Sequence, residues 1–196
     1  MTQGKYVTLR MARADEIKLA YEMGLSTPYM KQAFEDEYTN GLEDFENEYE
    51  RYFDSSESSL CGGMMICLGN HPIGFTTYAR ISYEDDWIQP GVMEIDIWMN
   101  GEENCGKGFG SDAIVTLMKY LHNKYDIHTF FGFPDKVNSR SIKACEKAGF
   151  IQVNTHEKQS ALEKIFTPKC LASLKPDDQY ISEEGVLMLN EYSRTK

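Results

Sequence analysis

No run of about 18 consecutive apolar residues occurs anywhere in this sequence, so a membrane-spanning helix is not expected. The opening residues, MTQGKYVTLRMARADE, also lack the basic start and long apolar core of a secretory signal. Basic residues are scarce, with 20 Lys and Arg against 31 Asp and Glu and a formal charge of −11. Phosphate-rich polymers need clustered Lys and Arg, so nucleic acid is not an expected partner. An acidic surface suits cationic ligands, and it also serves solubility alone. The five cysteines are an odd number without a CxxC spacing, which predicts neither a metal site nor a disulfide framework and points to the reducing cytoplasm. No internal repeat is evident. What is present is enough for a core: 196 residues, 41% of them hydrophobic, including ten Met, ten Phe and twelve Tyr, a length that fits one domain over 1–196.

The periodicities give an order of elements. KYVTLRMA alternates as a strand, and ADEIKLAYEMG follows as a helix with Asp15 placed to cap it and Gly24 to end it. The segment from Phe34 to Leu60 sets Glu35, Asp36, Glu37, Glu43, Asp44, Glu46, Glu48, Glu50, Asp54 and Glu57 against Arg51, and Leu42, Phe45, Tyr49 and Tyr52 or Phe53 fall at helical spacing among Glu43, Asp44, Glu46, Glu48 and Glu50, predicting one strongly acidic second helix before the loop SSESS. Met64 to Leu68 and Ile73 to Ile81 read as a hairpin across GNHP. VMEIDIWM is the fourth predicted strand, with Met93, Ile95, Ile97 and Met99 on one face and Glu94, Asp96 and Trp98 on the other. SDAIVTLMKYLHNKYD is a helix burying Ile114, Leu117, Met118 and Leu121, IHTFFGF a fifth strand, NSRSIKACEKAG a helix opened by Asn138 or Ser139 and closed by Gly149, and FIQVN a sixth strand. VLMLNEY is expected to close the sheet as an antiparallel seventh strand, and residues 158–182, with Pro168 and Pro176, read as an insertion or extended loop.

Between the fourth strand and its following helix lies EENCGKGFGSDAI, with Gly106, Gly108 and Gly110 at alternate positions. A Walker loop is excluded because Gly106-Lys107 is followed by Gly108. A dinucleotide fingerprint is excluded because Ser111 stands three residues after Gly108. What stands is GxGxG before a helix N-terminus, where backbone amides and the helix dipole converge on one anion. A pyrophosphate is the natural guest, with Lys107 screening it. A plain tight turn before a helix is the alternative.

EIDIWMNGEENCGKGFGSDAI followed by NSRSIKACEKAGF resembles the two signature segments of the GNAT superfamily of acetyl-CoA-dependent N-acetyltransferases, [RQ]xxGxG[AG] and NxxAxxxYExxGF. The resemblance implies an α/β (α+β) GNAT-like fold: a mixed, mostly antiparallel seven-strand sheet splayed between strands four and five and flanked by helices. It implies acetyl-CoA as co-substrate, with the pyrophosphate held along Cys105, Gly106, Lys107, Gly108, Phe109, Gly110 and Ser111. The pantetheine arm would run along the backbone of Ile97, Trp98 and Met99 and meet Asn138. Cys145 stands where the family commonly has the Tyr that protonates the leaving thiolate, and Glu103 where the loop has Arg or Gln. A thiol with an ordinary pKa of about 8.5 still has a proton to donate, and it also serves as a small apolar filler.

Amine acetylation needs a group that removes a proton from an ammonium, and a carboxylate does this while binding the cation. Glu94 and Asp96, on one strand face just ahead of the glycine loop, are the candidates, although a strand's open face is often simply polar. IDIWM, with Asp96, looks most like the [IM]DQxIG run of the aminoglycoside 6'-N-acetyltransferase branch, whose aspartate contacts the amine end of the antibiotic. Phe133-Pro134 departs from that branch's Asp-Pro. The acidic second helix would draw in a polycation, and Phe34, Tyr38, Tyr49, Tyr52 and Trp87 are candidates to line its cleft. The expectation is therefore acetylation of a small-molecule amine by direct attack in a ternary complex. Two alternatives remain: a ribosomal-protein-type N-terminal acetyltransferase, whose strand often reads EIGIW, and an acyl-CoA-binding sensor without turnover. A homodimer is a further expectation.

Overall fold

The computed structural model describes residues 1–53, 61–80, 87–175 and 185–192. The loop expected at SSESS, most of the polar loop before Trp87, and the end of the 158–182 segment lie outside the described residues. The strands are β1 (Thr2–Gln3), β2 (Thr8–Met11), β3 (Cys61–Leu68), β4 (His71–Ala79), β5 (Val92–Met99), β6 (Thr129–Gly132), β7 (Ile151–Gln152) and β8 (Met188–Glu191). The helices are α1 (Ile17–Gly24), α2 (Pro28–Glu37), α3 (Leu42–Tyr49), α4 (Phe109–Tyr125), α5 (Ser139–Lys147), α6 (Lys158–Ile165) and α7 (Pro168–Ser173). The sheet order is β1-β2-β3-β4-β5-β6-β8-β7. The expected mixed, mostly antiparallel sheet is present, with eight strands among the described residues where seven were expected. The extra strand, β1, is two residues long and pairs antiparallel with β2, too short to show any alternation in sequence.

The chain divides into two compact units: Met1–Tyr78 with Asp96–Thr116, and Ala79–Ile95 with Leu117–Lys196. In the first, α1 follows a 3-10 turn at Ala14–Glu16. Asp15 does not cap it: that carboxylate pairs with Arg13 at 3.0 Å, and Glu16 Oε2 instead accepts from Arg13 N–H at 3.0 Å. Glu16 is also held by Arg10 through two bonds of 2.7 and 2.6 Å, which neutralises a buried carboxylate. The single acidic helix is in fact two. Thr27 Oγ1 accepts from Met30 N–H and Pro28 takes the first helical position, starting α2. Asn40 and Gly41 then break the run, Gly41 taking φ +68°, before α3 begins. Splitting the helix lets Phe34 of α2 and Phe45 of α3 stack with centroids 5.8 Å apart. Gly24 ends α1 as expected, and a Cβ there would overlap the Phe34 ring.

The strand face carrying Glu94, Asp96 and Trp98 is not uniformly polar. Trp98 is 3% exposed, its ring surrounded by Phe34, Phe45, Tyr49 and Phe75, and its Nε1 donates to Ala20 carbonyl at 3.1 Å. Helices α1 to α3 therefore cover the far end of this face, and the indole fills the core with its polar atom satisfied.

In the second unit, β6 runs parallel to β5 from Val92–Thr129 to Glu94–Phe131, while β5 continues to Met99. β8 lies between β6 and β7 and pairs antiparallel with both, the antiparallel pairing being the one expected for VLMLNEY. The segment after 158 is helical, not an extended loop, through α6 and α7. Ala161, Leu162, Ile165, Phe166 and Cys170 are buried with Ile88, Val92 and Phe131, and Trp87 and Leu171 pack against that cluster. Trp87 therefore belongs to this core. Phe166, fully buried and edge-on to Phe131 at 5.8 Å, gives a direct test. Phe166→Ala is expected to cost about 3–5 kcal/mol in urea unfolding. An unchanged midpoint would mean that this segment adds nothing to the core.

Candidate active site

The glycine segment explains itself residue by residue. Gly106 (φ +73°) and Gly108 (φ +87°) occupy the left-handed region that favours glycine, whereas Gly110 is already helical in α4. The helix thus starts at Phe109, two residues earlier than its sequence periodicity suggests. Asp112 N–H donates to Gly108 carbonyl at 3.0 Å, and Ser111 Oγ closes on the same carbonyl at 3.0 Å. The amides ahead of Asp112 fall in the helix's first turn, where no intrahelical acceptor exists. The glycine at 110 also brings that turn onto β5, since a Cβ there would lie 3.9 Å from both Ile97 Cδ1 and Met99 Sδ. Ile97 and Met99 are half-buried. Upstream, Cys105 Sγ contacts Gly101 carbonyl at 3.5 Å, and Gly101 N–H donates to Ser26 Oγ at 2.7 Å. Lys107 and Glu103 are exposed. Left-handed glycines opening on a 17-residue helix fit a pyrophosphate.

The second part of the site surrounds Asp96. Its Oδ1 accepts from Ile97 N–H at 2.7 Å, and Thr76 Oγ1 donates to its backbone carbonyl at 2.7 Å. Asp96 and Glu37 are exposed residues whose carboxyls are partly desolvated by the protein around them. Desolvation pushes the Asp96 carboxyl above the ordinary aspartate value of 3.8, partly offset by the Ile97 amide. Glu37 is pushed up from 4.5 by burial, then by Glu48 and Asp96, and Glu48 is pushed up by burial. Water reaching these groups moderates each shift.

Two tyrosines join the carboxylates. The Tyr38 and Tyr49 rings stand edge to face with centroids 6.2 Å apart, and Tyr38 follows Glu37 in the chain. Burial, assisted by neighbouring charge that includes Asp96, holds both hydroxyls well above the ordinary phenol range, so they stay neutral donors. Of the aromatics expected to line a cleft, Tyr38 and Tyr49 belong to this cluster. Phe34 and Tyr52 are buried in the core behind it.

Glu94 is half-buried on β5, two residues before Asp96 and on the same side of the strand. In the second unit, Asn138 caps α5, its Oδ1 accepting from Ser141 N–H at 3.1 Å. Cys145 is a buried thiol on α5, and its carbonyl accepts from Phe150 N–H at 3.0 Å.

Sequence reasoning missed Asp112. Its carboxylate accepts three backbone N–H groups, from Lys5 at 2.9 Å, Tyr6 at 2.7 Å and Val7 at 3.0 Å, strapping the β1–β2 turn onto the first turn of α4. An acid in a first helical turn reads in sequence only as a partner for the helix dipole. A contact spanning more than a hundred residues leaves no local signal.

The strand, left-handed glycine turn and long helix have the form of an anion cradle, with Asp96, Glu37 and Glu48 in the same compact unit. Residues 7–151 match the acetyltransferase (GNAT) domain, and the chain belongs to the GNAT acetyltransferase family. Aminoglycoside N(6')-acetyltransferase type 1 of Klebsiella pneumoniae is 27% identical over 154 residues, 76% of each chain, and the Serratia marcescens protein of that name gives the same figures. Among solved structures, AAC(6')-Ib with ribostamycin and coenzyme A superposes with a TM-score of 0.66 over 95% of this chain and 94% of that one. At 22% identity that likeness shows the fold. Among the described residues, no helix is long and apolar enough to cross a membrane.

Proposed function

We propose that this protein acetylates a primary amine of a polycationic small molecule, an aminoglycoside 6'-amine, using acetyl-CoA. The observation that carries this is the convergence of Asp96, Glu37 and Glu48, with Tyr38 and Tyr49, in the unit that holds the glycine turn. Three carboxylates held together at a cost in self-repulsion are suited to a ligand bearing several ammonium groups. The names of the curated relatives support the same substrate class.

The amides from Gly106 to Ser111 hold the pyrophosphate, and Lys107 screens it. The β5 backbone over Ile97, Trp98 and Met99 lies beyond the last parallel pair with β6 and receives the pantetheine arm. Bound there, acetyl-CoA supplies the acyl group as a thioester. Asp96 takes the proton from the substrate ammonium, directly or through water, with Glu94 as the second carboxylate on its strand. The freed amine nitrogen bonds to the thioester carbon as the carbon–sulfur bond breaks; the nitrogen gives up its surplus proton to water, and the departing sulfur takes one from water.

The test is thiol release from acetyl-CoA across aminoglycosides, polyamines and N-terminal peptides. Turnover with aminoglycosides and intersecting initial-velocity lines are expected, because attack occurs in a ternary complex. Turnover confined to peptides would replace the substrate assignment. Parallel lines with an acetylated Cys145 would replace direct transfer, and no turnover with any amine would favour an acyl-CoA sensor.

A further inference from the structure

The N-terminal turn carries three features that the reaction above does not use. Tyr6 is 48% exposed although it is a large aromatic side chain. Its ring stands edge-on to Phe109 at 6.5 Å, and Lys5 Nζ lies 4.8 Å from its centre. A Cβ built on Gly108 would approach Tyr6 Cε2 at 4.0 Å, so this ring borders the glycine turn itself. The two glycines thus face two different walls: Gly110 looks to Ile97 and Met99 on β5, and Gly108 looks to Tyr6.

A pyrophosphate seated on this turn has two arms. The arm bearing the thioester must follow β5 toward Asp96, past the wall that Gly110 faces. The other arm, an adenosine with a 3'-phosphate, therefore leaves by the wall that Gly108 faces. We infer that Lys5 and Tyr6 form the binding wall for the 3'-phosphoadenosine end of coenzyme A, and that Asp112 is the positioning residue that fixes this wall to α4. This rests on the cofactor reading of the glycine turn.

The chemistry matches part by part. Tyr6 offers a stacking surface for the adenine, and Lys5 offers an ammonium for the 3'-phosphate. The wall is also preorganised. Asp112 Oδ1 accepts the Lys5 amide and Oδ2 accepts the Tyr6 and Val7 amides, while Gly4 N–H donates to Val7 carbonyl at 2.8 Å. Gly4 allows the close approach, because a Cβ there would press on Asp112 Oδ2 at 2.6 Å. Those three amides also occupy the carboxylate, which would otherwise stand as a bare negative charge in the helix turn that receives the anion.

The experiment is calorimetric binding of coenzyme A, 3'-dephospho-coenzyme A and 4'-phosphopantetheine to the full chain. Tyr6→Ala is expected to weaken coenzyme A about tenfold, the effect of removing an aromatic stacking partner from a base. It should leave 4'-phosphopantetheine affected far less, and Tyr6→Phe should restore the loss. Lys5→Ala is expected to weaken coenzyme A about threefold, as for an exposed ion pair, with no such loss for the dephospho form. Asp112→Asn should reproduce the Tyr6→Ala pattern, and combining the two should add little. Parent-like coenzyme A binding by Lys5→Ala and Tyr6→Ala, or equal losses for all three ligands, would overturn the wall. Failure of the parent chain to bind coenzyme A at all would instead overturn the cofactor reading on which it rests.

Discussion

Asp96→Asn is expected to lower kcat about 100- to 10,000-fold, the range for loss of a general base, while raising the melting temperature of the ligand-free protein. Asparagine keeps the side-chain shape and an oxygen able to accept from Ile97 N–H, so that contact survives. What is lost is a proton acceptor and one of three crowded charges. The pH dependence follows from the signs. Asp96, Glu37 and Glu48 all have folded-state values raised above their ordinary ones, 3.8 for Asp96 and 4.5 for the glutamates. The folded chain therefore binds more protons than the unfolded chain just above those values. Their contribution to stability is greatest at low pH, falls as pH rises through the raised values, and is a full penalty above them. The parent's melting temperature should decline through that window in a pH series, and the Asn variant should decline less. The parent's kcat/KM should rise through the same window, and that limb should vanish in the variant. Full turnover by Asp96→Asn would remove Asp96 from the role of base. A carboxylate cluster that costs stability when alone and recovers it when paired with a polycation is the trade-off expected of a binding site.

Gly108→Val is expected to weaken coenzyme A binding about 100-fold or more, with far-UV circular dichroism little changed. Space is not the obstacle, since the nearest atom to a Cβ at Gly108 is 4.0 Å away. The obstacle is the backbone: a φ of +87° disfavours any L side chain and a β-branched one most. Relaxing that angle would turn the following amides away from their common focus. Gly110→Ala, on helical backbone with neighbours at an ordinary 3.9 Å, should cost far less. Measured coenzyme A affinity equal to that of the parent in Gly108→Val would refute the cradle.

The two variants probe features that differed in how well they could be read from the residues. The glycine turn was legible because its demands are local: glycines at fixed spacing, a strand before them and an apolar-periodic helix after. The stripe Ile114, Leu117, Met118 and Leu121 is buried as its spacing required. The β5 alternation placed Asp96 correctly for the same reason. By contrast, Glu37 and Glu48 were visible only as members of an acidic run. The break at Asn40-Gly41 turns one apparent helix into two and leaves Glu37 within electrostatic reach of Glu48 and Asp96, and nothing in the helical period marks that outcome.

Trp98 shows the same division. Alternation assigns its side of the strand, but whether that side meets water or core depends on α1 to α3, whose positions are set by Phe34, Phe45 and the bare backbone at Gly24. Phe166 and Cys170 looked like parts of a loop because two short helices separated by Thr167-Pro168 leave too few turns for a periodic signal. By itself, then, the sequence determined the strand–glycine turn–helix unit and the family it resembles, because each rests on contacts within a few residues. The tertiary structure alone decided which acids converge and which aromatics are core, and it brought Asp112 onto the N-terminal turn. Those outcomes depend on long-range packing and hydrogen bonds that no local pattern encodes.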